Sequence, residues 1–369
     1  MLKKFSVKNY KSFKDELVID FSDFKDYQYN LHAIENNLIS TAVIYGKNSS
    51  GKTNFGYALF DITLHLVDKE QVAEQHTNYL NANSDESVAT FSYNFIFDSD
   101  EIIYRYRKQN SMKLVYEELY LNDKKVFSYN FLEHKGDFSN LELVQASTLN
   151  FGFKDMNLSV VRYIANNSNL DKNSVIQRLM NFVSHMLWFR SIGVNNYIGY
   201  FKGVEQLTDQ IIKNGSVSKF EKFLKNCGIT HDLDIAKDVF GNDVLVVKFN
   251  HKVIPFLEIA SNGTKALTLY FYWSEKFSNI SFLFIDEFDA FYHTELAEVM
   301  IKDISQKTNF QSILTTHNTA LMSNRFLRPD CYFILSNNRL VSLPKSTEKE
   351  LREGHNLEKM YRNGEFIEF

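Results

Sequence analysis

The stretch of sequence that decides the fold is residues 46–53, Gly46-Lys47-Asn48-Ser49-Ser50-Gly51-Lys52-Thr53. Before it, residues 41–45 form a short apolar and β-branched run, which is typical of a buried strand. After it, apolar residues recur near helical spacing from 54 to 67. A strand, a glycine-containing loop and a helix in this order form the context in which this spacing of Gly, Lys and Thr binds phosphate. An accidental match in a glycine-rich turn is the alternative, and the flanking strand and helix weigh against it.

The chemistry of this P-loop suits a nucleoside triphosphate held together with Mg²⁺. Its backbone N–H groups and the positive end of the following helix dipole point at one place. We expect Lys52 to contact the β- and γ-phosphate oxygens and Thr53 to hold Mg²⁺ through its hydroxyl. The residues predicted to line the nucleotide are Gly46, Lys47, Asn48, Ser49, Ser50, Gly51, Lys52, Thr53 and Asn54. The predicted ligands are therefore ATP and Mg²⁺.

The composition is that of a folded protein with neither a membrane segment nor a disulfide framework. The chain has 369 residues, 44% of them hydrophobic and 23% charged, which is enough for a large core in one or two lobes. No apolar run approaches the length of a transmembrane helix or of a signal peptide. Only Cys227 and Cys331 are present, so we expect a reducing cytoplasm. The net charge of −4 argues against a protein that coats nucleic acid, although a local contact stays open.

Hydrophobic periodicity divides the chain into four predicted parts. Residues 1–67 contain the P-loop, 68–156 read as a β-rich lobe with two hairpins, and 157–240 read as a helical insertion. Within the insertion, residues 175–188 are predicted to form one well-buried helix. Residues 241–369 alternate strands with helices, which predicts an α/β fold with a parallel sheet covered on both faces.

Two acidic residues follow a predicted buried strand in the last part. Residues 282–285 are apolar, and Asp286 and Glu287 come directly after them. Ligands of open α/β sheets bind at the carboxyl ends of strands. We therefore expect Asp286 to hold the water shell of Mg²⁺ and Glu287 to act as general base toward the attacking water. An acidic cap at a strand-to-helix turn is the alternative, and the intact P-loop disfavours it.

Two further motifs accompany the acidic pair. His317 follows the predicted strand 312–315, where it can hydrogen-bond a γ-phosphate and sense its presence, although a lone histidine is usually structural. Ser261-Asn262-Gly263 opens the helix that precedes the Asp286 strand. Ser261 can cap this helix, whose first N–H groups form an anion site; taken alone, this is an ordinary N-cap.

The order of these motifs, P-loop, serine–glycine helix, Asp-Glu and His, resembles that of ABC-type ATPases of the RecF and SMC kind. The opening Lys-Asn-Tyr-Lys-Ser-Phe, residues 8–13, is similar to a segment that starts many such proteins. Residues 287–293, which begin with the second residue of the acidic pair, resemble the Walker-B and D-loop stretch of these proteins. The ending 357–366 resembles the tail of RloA-like and OLD-like bacterial ATPases, which are often phage-defence components and include the ATPase subunit of PARIS. The resemblance covers about 1–67 and 243–369.

The resemblance implies an ABC-type P-loop head with a mixed central sheet flanked by helices, a β-rich lobe and a helical insertion. It implies a homodimer, open to higher assembly, in which Ser261 and Gly263 of one copy close over ATP held by the other. Lys11 would also contact the nucleotide, and Asp289 would lie at the dimer seam. Slow ATP hydrolysis would then control a toxic effector, such as a nuclease encoded nearby, in response to a phage-encoded trigger.

Three other functions stay open. A DNA-repair or chromosome-maintenance ATPase could contact phosphates through residues 104–108, where Arg105 and Arg107 share one face of a strand, although a solvated edge strand explains them as well. A nucleotide-gated scaffold without hydrolysis also stays open. A small-molecule kinase fits less well, because Ser261 and His317 would have no role there.

Overall fold

A seven-stranded mixed sheet carries the P-loop near its centre in the computed structural model, which describes residues 1–67, 73–151, 158–191, 196–199 and 207–366. In spatial order its strands are β12 (Asn196–Gly199), β11 (Met186–Ser191), β16 (Phe282–Ile285), β17 (Gln311–Thr316), β5 (Thr41–Tyr45), β18 (Tyr332–Ser336) and β19 (Arg339–Ser342). Neighbours from β11 to β18 run parallel, and the two edge strands run antiparallel to them. Strands β5, β16 and β17 are buried along their whole length, as expected of a parallel core. The predicted mixed central sheet is confirmed.

A second, antiparallel sheet of seven strands lies entirely within the first 137 residues. In spatial order its strands are β10 (Lys135–Asp137), β9 (Lys124–Asn130), β8 (Lys113–Leu121), β7 (Asp100–Asn110), β6 (Ala89–Phe97), β1 (Leu2–Lys8) and β2 (Leu17–Asp20). Burial alternates along β6, so Phe91, Tyr93 and Phe95 point into the core. The two hairpins predicted within the β-rich lobe are both present, as β6–β7 and β8–β9.

Helix α1 (Lys52–Phe60) lies between the two sheets and positions the P-loop that precedes it. The ring of Phe55 is 5.9 Å from Phe5 of the antiparallel sheet and 6.4 Å from Phe284 of the mixed sheet, measured between centroids. The Tyr93 hydroxyl donates to the carbonyl oxygen of Ala58 at 3.0 Å. The amino end of α1 is therefore held by packing on both of its faces.

The remaining elements cover the sheets or form smaller units. The other helices are α2 (Ile62–Leu66), α3 (Ala73–His76), α4 (Val160–Asn167), α5 (Val175–Ser184), α6 (Leu207–Lys213), α7 (Val217–Asn226), α8 (Phe256–Ile259), α9 (Asn262–Ser274), α10 (Thr294–Ser305) and α11 (Leu357–Arg362). The other strands are β3 (Ile34–Glu35) and β4 (Leu38–Ile39), which pair, and β13 (Leu233–Lys237), β14 (Asp243–Lys248) and β15 (Val253–Pro255), which form a three-stranded sheet. We call residues 233–259, from β13 to α8, the hairpin lobe. Among the described residues, no helix is long and apolar enough to cross a membrane.

The hairpin lobe packs on helices α6, α7 and α9 around a small hydrophobic core that is separate from the main one. Phe220, Leu245, Phe256 and Phe271 are buried together there, between helices α6, α7, α8 and α9 and the three-stranded sheet. Tyr292 packs against both cores. The lobe is thereby attached to the segment that follows β16.

The predicted helix over residues 175–188 is wrong in its last part. Helix α5 ends at Ser184, and strand β11 begins at Met186 and pairs with β16, with Leu187 opposite Leu283. The apolar run 186–189 is buried on both faces, and periodicity alone cannot distinguish such a run from a buried helix. Two strands of the mixed sheet, β11 and β12, therefore lie inside the stretch predicted to be a helical insertion.

Candidate nucleotide site

The P-loop has a curled backbone that depends on its glycines. Gly51 has φ of +102°, and a Cβ atom there would lie 3.0 Å from Ser12 Oγ. At Gly46 a Cβ atom would lie 2.3 Å from Ser50 Oγ. Ser49 also has a left-handed φ of +64°. The predicted loop conformation is therefore one that other residues at 46 and 51 would strain.

Lys52 is buried inside this loop. Its Nζ donates to the carbonyl oxygens of Gly46 at 2.7 Å and Lys47 at 3.1 Å. Burial lowers the pKa of Lys52, and the carboxylates of Glu287 and Asp286 oppose that shift. The ammonium group is thus held by two backbone carbonyl oxygens and feels the charges of the acidic pair; phosphate oxygens would replace the carbonyls as its partners.

Thr53 and Asp286 meet although they are far apart in sequence. The Thr53 hydroxyl donates to Asp286 Oδ2 at 2.6 Å, and the Thr315 hydroxyl donates to Asp286 Oδ1 at 2.6 Å. Burial raises the pKa of Asp286, and the two hydroxyl hydrogen bonds oppose that shift. Thr315 was not predicted as a site residue; its position near the end of the strand beside β16 is the signal that could have found it.

The residues present fit Mg²⁺ bound together with a triphosphate. A hydroxyl and a carboxylate are the oxygen ligands that Mg²⁺ takes, and it draws its other ligands from water and phosphate. Thr53 and Asp286 would hold the ion here. Ser50 Oγ, next to Gly46 in the loop, is buried without a hydrogen-bond partner in the part of the chain that the structure describes. No group of three or more His, Cys, Asp or Glu side chains that could hold a metal occurs among the described residues.

Glu287 lies at the exposed rim of the same site. Its backbone has a left-handed φ of +47°, and its N–H donates to Thr315 Oγ1 at 2.8 Å. A non-glycine residue in this region is strained, and such strain gathers at functional sites. The turn at Glu287 takes the chain off the strand directly after Asp286 and leaves the Glu287 carboxylate in solvent.

His317 is also exposed and follows β17. The carbonyl oxygen of Thr316 accepts from the N–H of Gly46 at 3.3 Å, so the chain segment that carries His317 begins beside the P-loop. The carboxyl ends of β16, β17 and β5 are adjacent. The structure therefore brings Lys52, Thr53, Asp286, Glu287 and His317 to one edge of the mixed sheet; their catalytic roles stay predictions.

Ser261 and Gly263 lie at the exposed amino end of α9. Ser261 Oγ accepts from the N–H of Thr264 at 3.1 Å, as predicted for an N-cap. A Cβ atom on Gly263 would lie only 2.8 Å from the carbonyl oxygen of Phe291. This end of α9 is thus packed closely against the segment after β16 in the same chain, and its role toward a second copy stays a prediction.

Lys11 and Asp289 have surroundings that the sequence did not indicate. The Nζ of Lys11 donates to the carbonyl oxygens of Glu74 and Thr77, each at 2.8 Å. Its neighbour Ser12 instead contacts the site, because Ser12 Oγ accepts from Asn54 Nδ2 at 3.0 Å. Asp289 is buried, with 8% of its surface exposed. The nucleotide contact of Lys11 and the seam position of Asp289 stay predictions.

A cavity of about 180 Å³ adjoins the outer side of the P-loop. It is lined by Gly46–Ser50, by Leu335 and Asn337 at the end of β18, and by Tyr361 of helix α11. The sequence analysis related residues 357–366 to the tail of similar ATPases, but it did not predict that they lie near the P-loop. The fold places α11 there because β18 is the neighbour of β5.

Solved structures similar to the chain include heads of SMC proteins. They are the SMC head bound to the C-winged helix domain of ScpA (16% identity, 93% of this chain and 97% of that one covered, TM-score 0.43), the SMC head domain from Thermotoga maritima (17%, 92% and 97%, 0.42), and the Pyrococcus furiosus Smc head with an extended coiled coil bound to the C-terminal domain of ScpA (16%, 93% and 96%, 0.44). No curated protein matches the chain.

A family model matches residues 42–323, from the strand before the P-loop to beyond His317, which is more than half of the chain. Its description is "AAA domain, putative AbiEii toxin, Type IV TA system". Together with the mixed sheet and the site at its edge, the match confirms the predicted RecF- and SMC-like ABC-type head. The chain belongs to this family of AAA-domain ATPases.

Proposed function

We propose that the chain binds Mg-ATP at residues 46–53 and hydrolyses it. The observation that carries the proposal is the 2.6 Å hydrogen bond between Thr53 and Asp286, which joins the P-loop to the carboxylate that ends β16. In this scheme Lys52 neutralises the phosphates, and Thr53 and Asp286 hold Mg²⁺. Glu287 accepts a proton from the attacking water, and His317 contacts the γ-phosphate.

The proposal includes a homodimer that encloses two nucleotides. Ser261 and the amino end of α9 face solvent, so the first N–H groups of this helix are open to a phosphate from another copy. A two-fold interface is self-complementary and would create two equal sites. Loss of the γ-phosphate would weaken the dimer contact. Hydrolysis of ATP would therefore change the oligomeric state of the protein.

We further propose that the cycle controls a toxic effector in bacterial anti-phage defence. The family description names a toxin–antitoxin system, and the last residues resemble the tails of phage-defence ATPases. The effector would be a separate protein, such as a nuclease encoded nearby, and a phage product would be the trigger. Both cysteines are free thiols, which agrees with a reducing cytoplasm.

The structure gives less support to a DNA clamp built on residues 104–108. Strand β7 is an inner strand of its sheet, not the predicted edge strand. Lys108 is buried and cannot contact DNA. Arg105 donates to Glu118 at 3.4 Å, and Arg107 lies over the ring of Tyr116. Arg105 and Arg107 are exposed on one face of β7, but each already has a partner there, which disfavours the clamp without removing it.

The test compares three chains in the presence of Mg-ATP: wild type, Lys52→Ala and Glu287→Gln. Lys52→Ala removes the ammonium group that neutralises the phosphates, so we expect loss of nucleotide binding. Glu287→Gln removes the proposed base, so we expect normal binding, phosphate release reduced roughly 10²- to 10⁴-fold, and a dimer that persists. Nucleotide affinity, phosphate release and the mass of the 43.1 kDa chain by sedimentation are the measurements.

Equal phosphate release by Glu287→Gln and wild type would count against the assigned base. ATP-dependent dimers without phosphate release from the wild-type chain would instead select the nucleotide-gated scaffold. Phosphate transfer from ATP to a small metabolite would select the kinase.

A further inference from the structure

The solvent face of the antiparallel sheet carries a cluster of arginine and tyrosine side chains near its centre. Arg105 and Arg107 of β7 are exposed there, and on β8 Glu118 lies opposite Arg105. Strand β7 is an inner strand, so these charges are not needed to protect a sheet edge from pairing. We call this group the Arg–Tyr cluster; its members are Arg105, Arg107, Tyr116, Glu118, Tyr120 and Lys125.

The side chains of the cluster hold one another in place. The Glu118 carboxylate accepts from the hydroxyls of Tyr116 at 2.9 Å and Tyr120 at 3.4 Å, and from Arg105 Nη1 at 3.4 Å. The Arg107 guanidinium lies 5.1 Å from the centroid of the Tyr116 ring, and the Arg105 guanidinium lies 5.8 Å from that of Tyr120. The ring attracts the cation through its π face, so N–H donors of the guanidinium remain for other partners. The cluster is thus ordered before a partner binds, which reduces the entropy lost on binding.

The cluster carries more positive charge than its surroundings. Three cations, Arg105, Arg107 and Lys125, face the single carboxylate of Glu118, which leaves a net charge of +2. Among the described residues, no carboxylate lies within ion-pair distance of Arg107 or Lys125. The basic side chains around the cluster are matched one to one by acidic ones: Lys3 by Glu101, Lys4 by Asp20, Lys8 by Glu86, and Lys135 by Asp137 on the same strand. In a chain with a net charge of −4, this cluster is a surface that attracts an anionic partner.

The spacing of the two arginines matches that of carboxylates on an extended polypeptide. Arg105 and Arg107 are two residues apart on one face of β7, so their Cα atoms are about 7 Å apart. Acidic residues at alternate positions of an extended chain have the same spacing, because the rise per residue is the same. A guanidinium can also bind a carboxylate through two parallel hydrogen bonds. An acidic segment that lies along β7 therefore brings one carboxylate to each arginine.

A nucleic acid strand is less complementary to this surface. Two carboxylates balance the net charge of +2, whereas a nucleic acid carries a negative charge at every nucleotide. Further phosphates would meet the Glu118 carboxylate, which lies between Tyr116 and Tyr120 along β8, or ion pairs that are already formed. Proteins that bind nucleic acid through its backbone neutralise more phosphates than three cations can.

We propose that the Arg–Tyr cluster is a docking site for an extended acidic segment of a partner protein, with acidic residues at alternate positions. Arg105 and Arg107 each bind one carboxylate, and the tyrosine rings pack against the segment. Arginine and tyrosine are among the residue types that contribute most to binding at protein interfaces. The site is on the face of β7 opposite to Tyr106, whose hydroxyl donates to Asp61 in the core. It is therefore separate from the P-loop and does not depend on the nucleotide chemistry proposed above.

The test measures binding of a fluorescent peptide to the full chain at low ionic strength. The acidic peptide alternates glutamate with serine, and a second peptide with glutamine in place of glutamate is the uncharged probe. We expect wild type to bind only the acidic peptide, and to bind it more weakly as salt is added. Arg105→Gln/Arg107→Gln should weaken this binding about tenfold or more. The matched control is Arg325→Gln/Arg352→Gln, which removes two charges from side chains that are each 72% exposed, and it should bind as wild type does.

Arg105→Lys/Arg107→Lys distinguishes geometry from charge. It keeps both charges but removes the forked donors, so its affinity for the acidic peptide should lie between those of wild type and the glutamine variant. Full affinity in this lysine variant would overturn the pairing of each arginine with one carboxylate.

Wild-type chain that does not bind the acidic peptide would overturn the proposal, as would wild-type affinity in Arg105→Gln/Arg107→Gln. An equal loss in the Arg325 and Arg352 control would show that overall charge, not the cluster, controls binding. Tighter binding of a single-stranded oligothymidylate with the same number of charges, lost in Arg105→Gln/Arg107→Gln, would replace the acidic segment by a nucleic acid.

Discussion

At the residue scale, the site depends on how Asp286 is solvated. Its carboxylate is buried and receives hydroxyl hydrogen bonds from Thr53 and Thr315. Burial favours the protonated form, whereas the two donors favour the charged form that a cation requires. The balance leaves the pKa of Asp286 above its ordinary value, so this carboxyl takes up a proton at a higher pH than an exposed aspartate does.

Removing the Thr315 hydroxyl should shift the pH dependence of Mg²⁺-supported nucleotide binding. In wild type, affinity should fall as the pH is lowered toward the raised pKa of Asp286. Thr315→Val removes a bond to the charged form, which raises that pKa further, so the loss should occur at a higher pH. Nucleotide affinity measured across pH with and without Mg²⁺ is the check. Thr315→Ser keeps the hydroxyl and should restore the wild-type profile; coincident profiles for Val and wild type would disprove the effect.

At the scale of elements, the amino end of helix α9 packs directly against the segment after β16. Gly263 is so close to the Phe291 carbonyl that the two backbones are in contact. Tyr292, the next residue, packs against both hydrophobic cores. A change at the acidic pair Asp286-Glu287 can therefore reach the exposed end of α9 through the five residues that follow it.

Gly263→Ala should separate nucleotide binding from dimer formation. The added methyl would lie 2.8 Å from a backbone oxygen, which cannot swing away, so α9 or the 287–292 segment must shift. We expect a stability loss of about 1–3 kcal/mol, weaker ATP-dependent dimerisation and unchanged nucleotide affinity of the monomer. Denaturation and sedimentation measure these effects. Gly354→Ala is the control, because a methyl there meets nothing within 4 Å; equal behaviour of the two variants would show that close contact at 263 is unimportant.

At the scale of the whole molecule, a buried ion pair joins the helix that follows the P-loop to the antiparallel sheet. Asp61 lies between α1 and α2, and its carboxylate accepts from Lys108 at 2.7 Å and from the hydroxyls of Tyr79 and Tyr106 at 2.9 Å each. Lys108 and Asp61 are both essentially inaccessible. Burial lowers the pKa of Lys108, and the Asp61 charge opposes that shift. The end of the P-loop helix is thereby tied to β7.

Lys108→Met should be strongly destabilising, because it leaves the Asp61 charge buried without its cation. Losing one partner of a buried pair costs about 3–5 kcal/mol, whereas exposed pairs contribute less than about 1 kcal/mol. Lys8→Met breaks the exposed pair with Glu86 and is the matched control. The free energy of unfolding from urea titration is the measurement, and similar values for the two variants would refute the structural role of the pair.

The sequence by itself determined the P-loop, the acidic pair after a buried strand and the cap of α9. These features are local: a few neighbouring residues set each conformation, and the spacing of Gly46, Gly51, Lys52 and Thr53 already specifies the curled loop. The strands β5, β16 and β17 were predictable for the same reason, because runs buried on both faces are apolar throughout.

Only the tertiary structure decided which of these pieces meet and which surfaces stay open. Residues 186–189 became a strand because β16 offered a free edge for hydrogen bonding, which no local pattern records. Thr315 joined Asp286, and Lys108 was buried against Asp61, because pairing of distant strands and helices placed them there. The exposure of Val239 and Phe240 has the same origin: apolar residues are covered only where another element reaches them, and none among the described residues covers this turn.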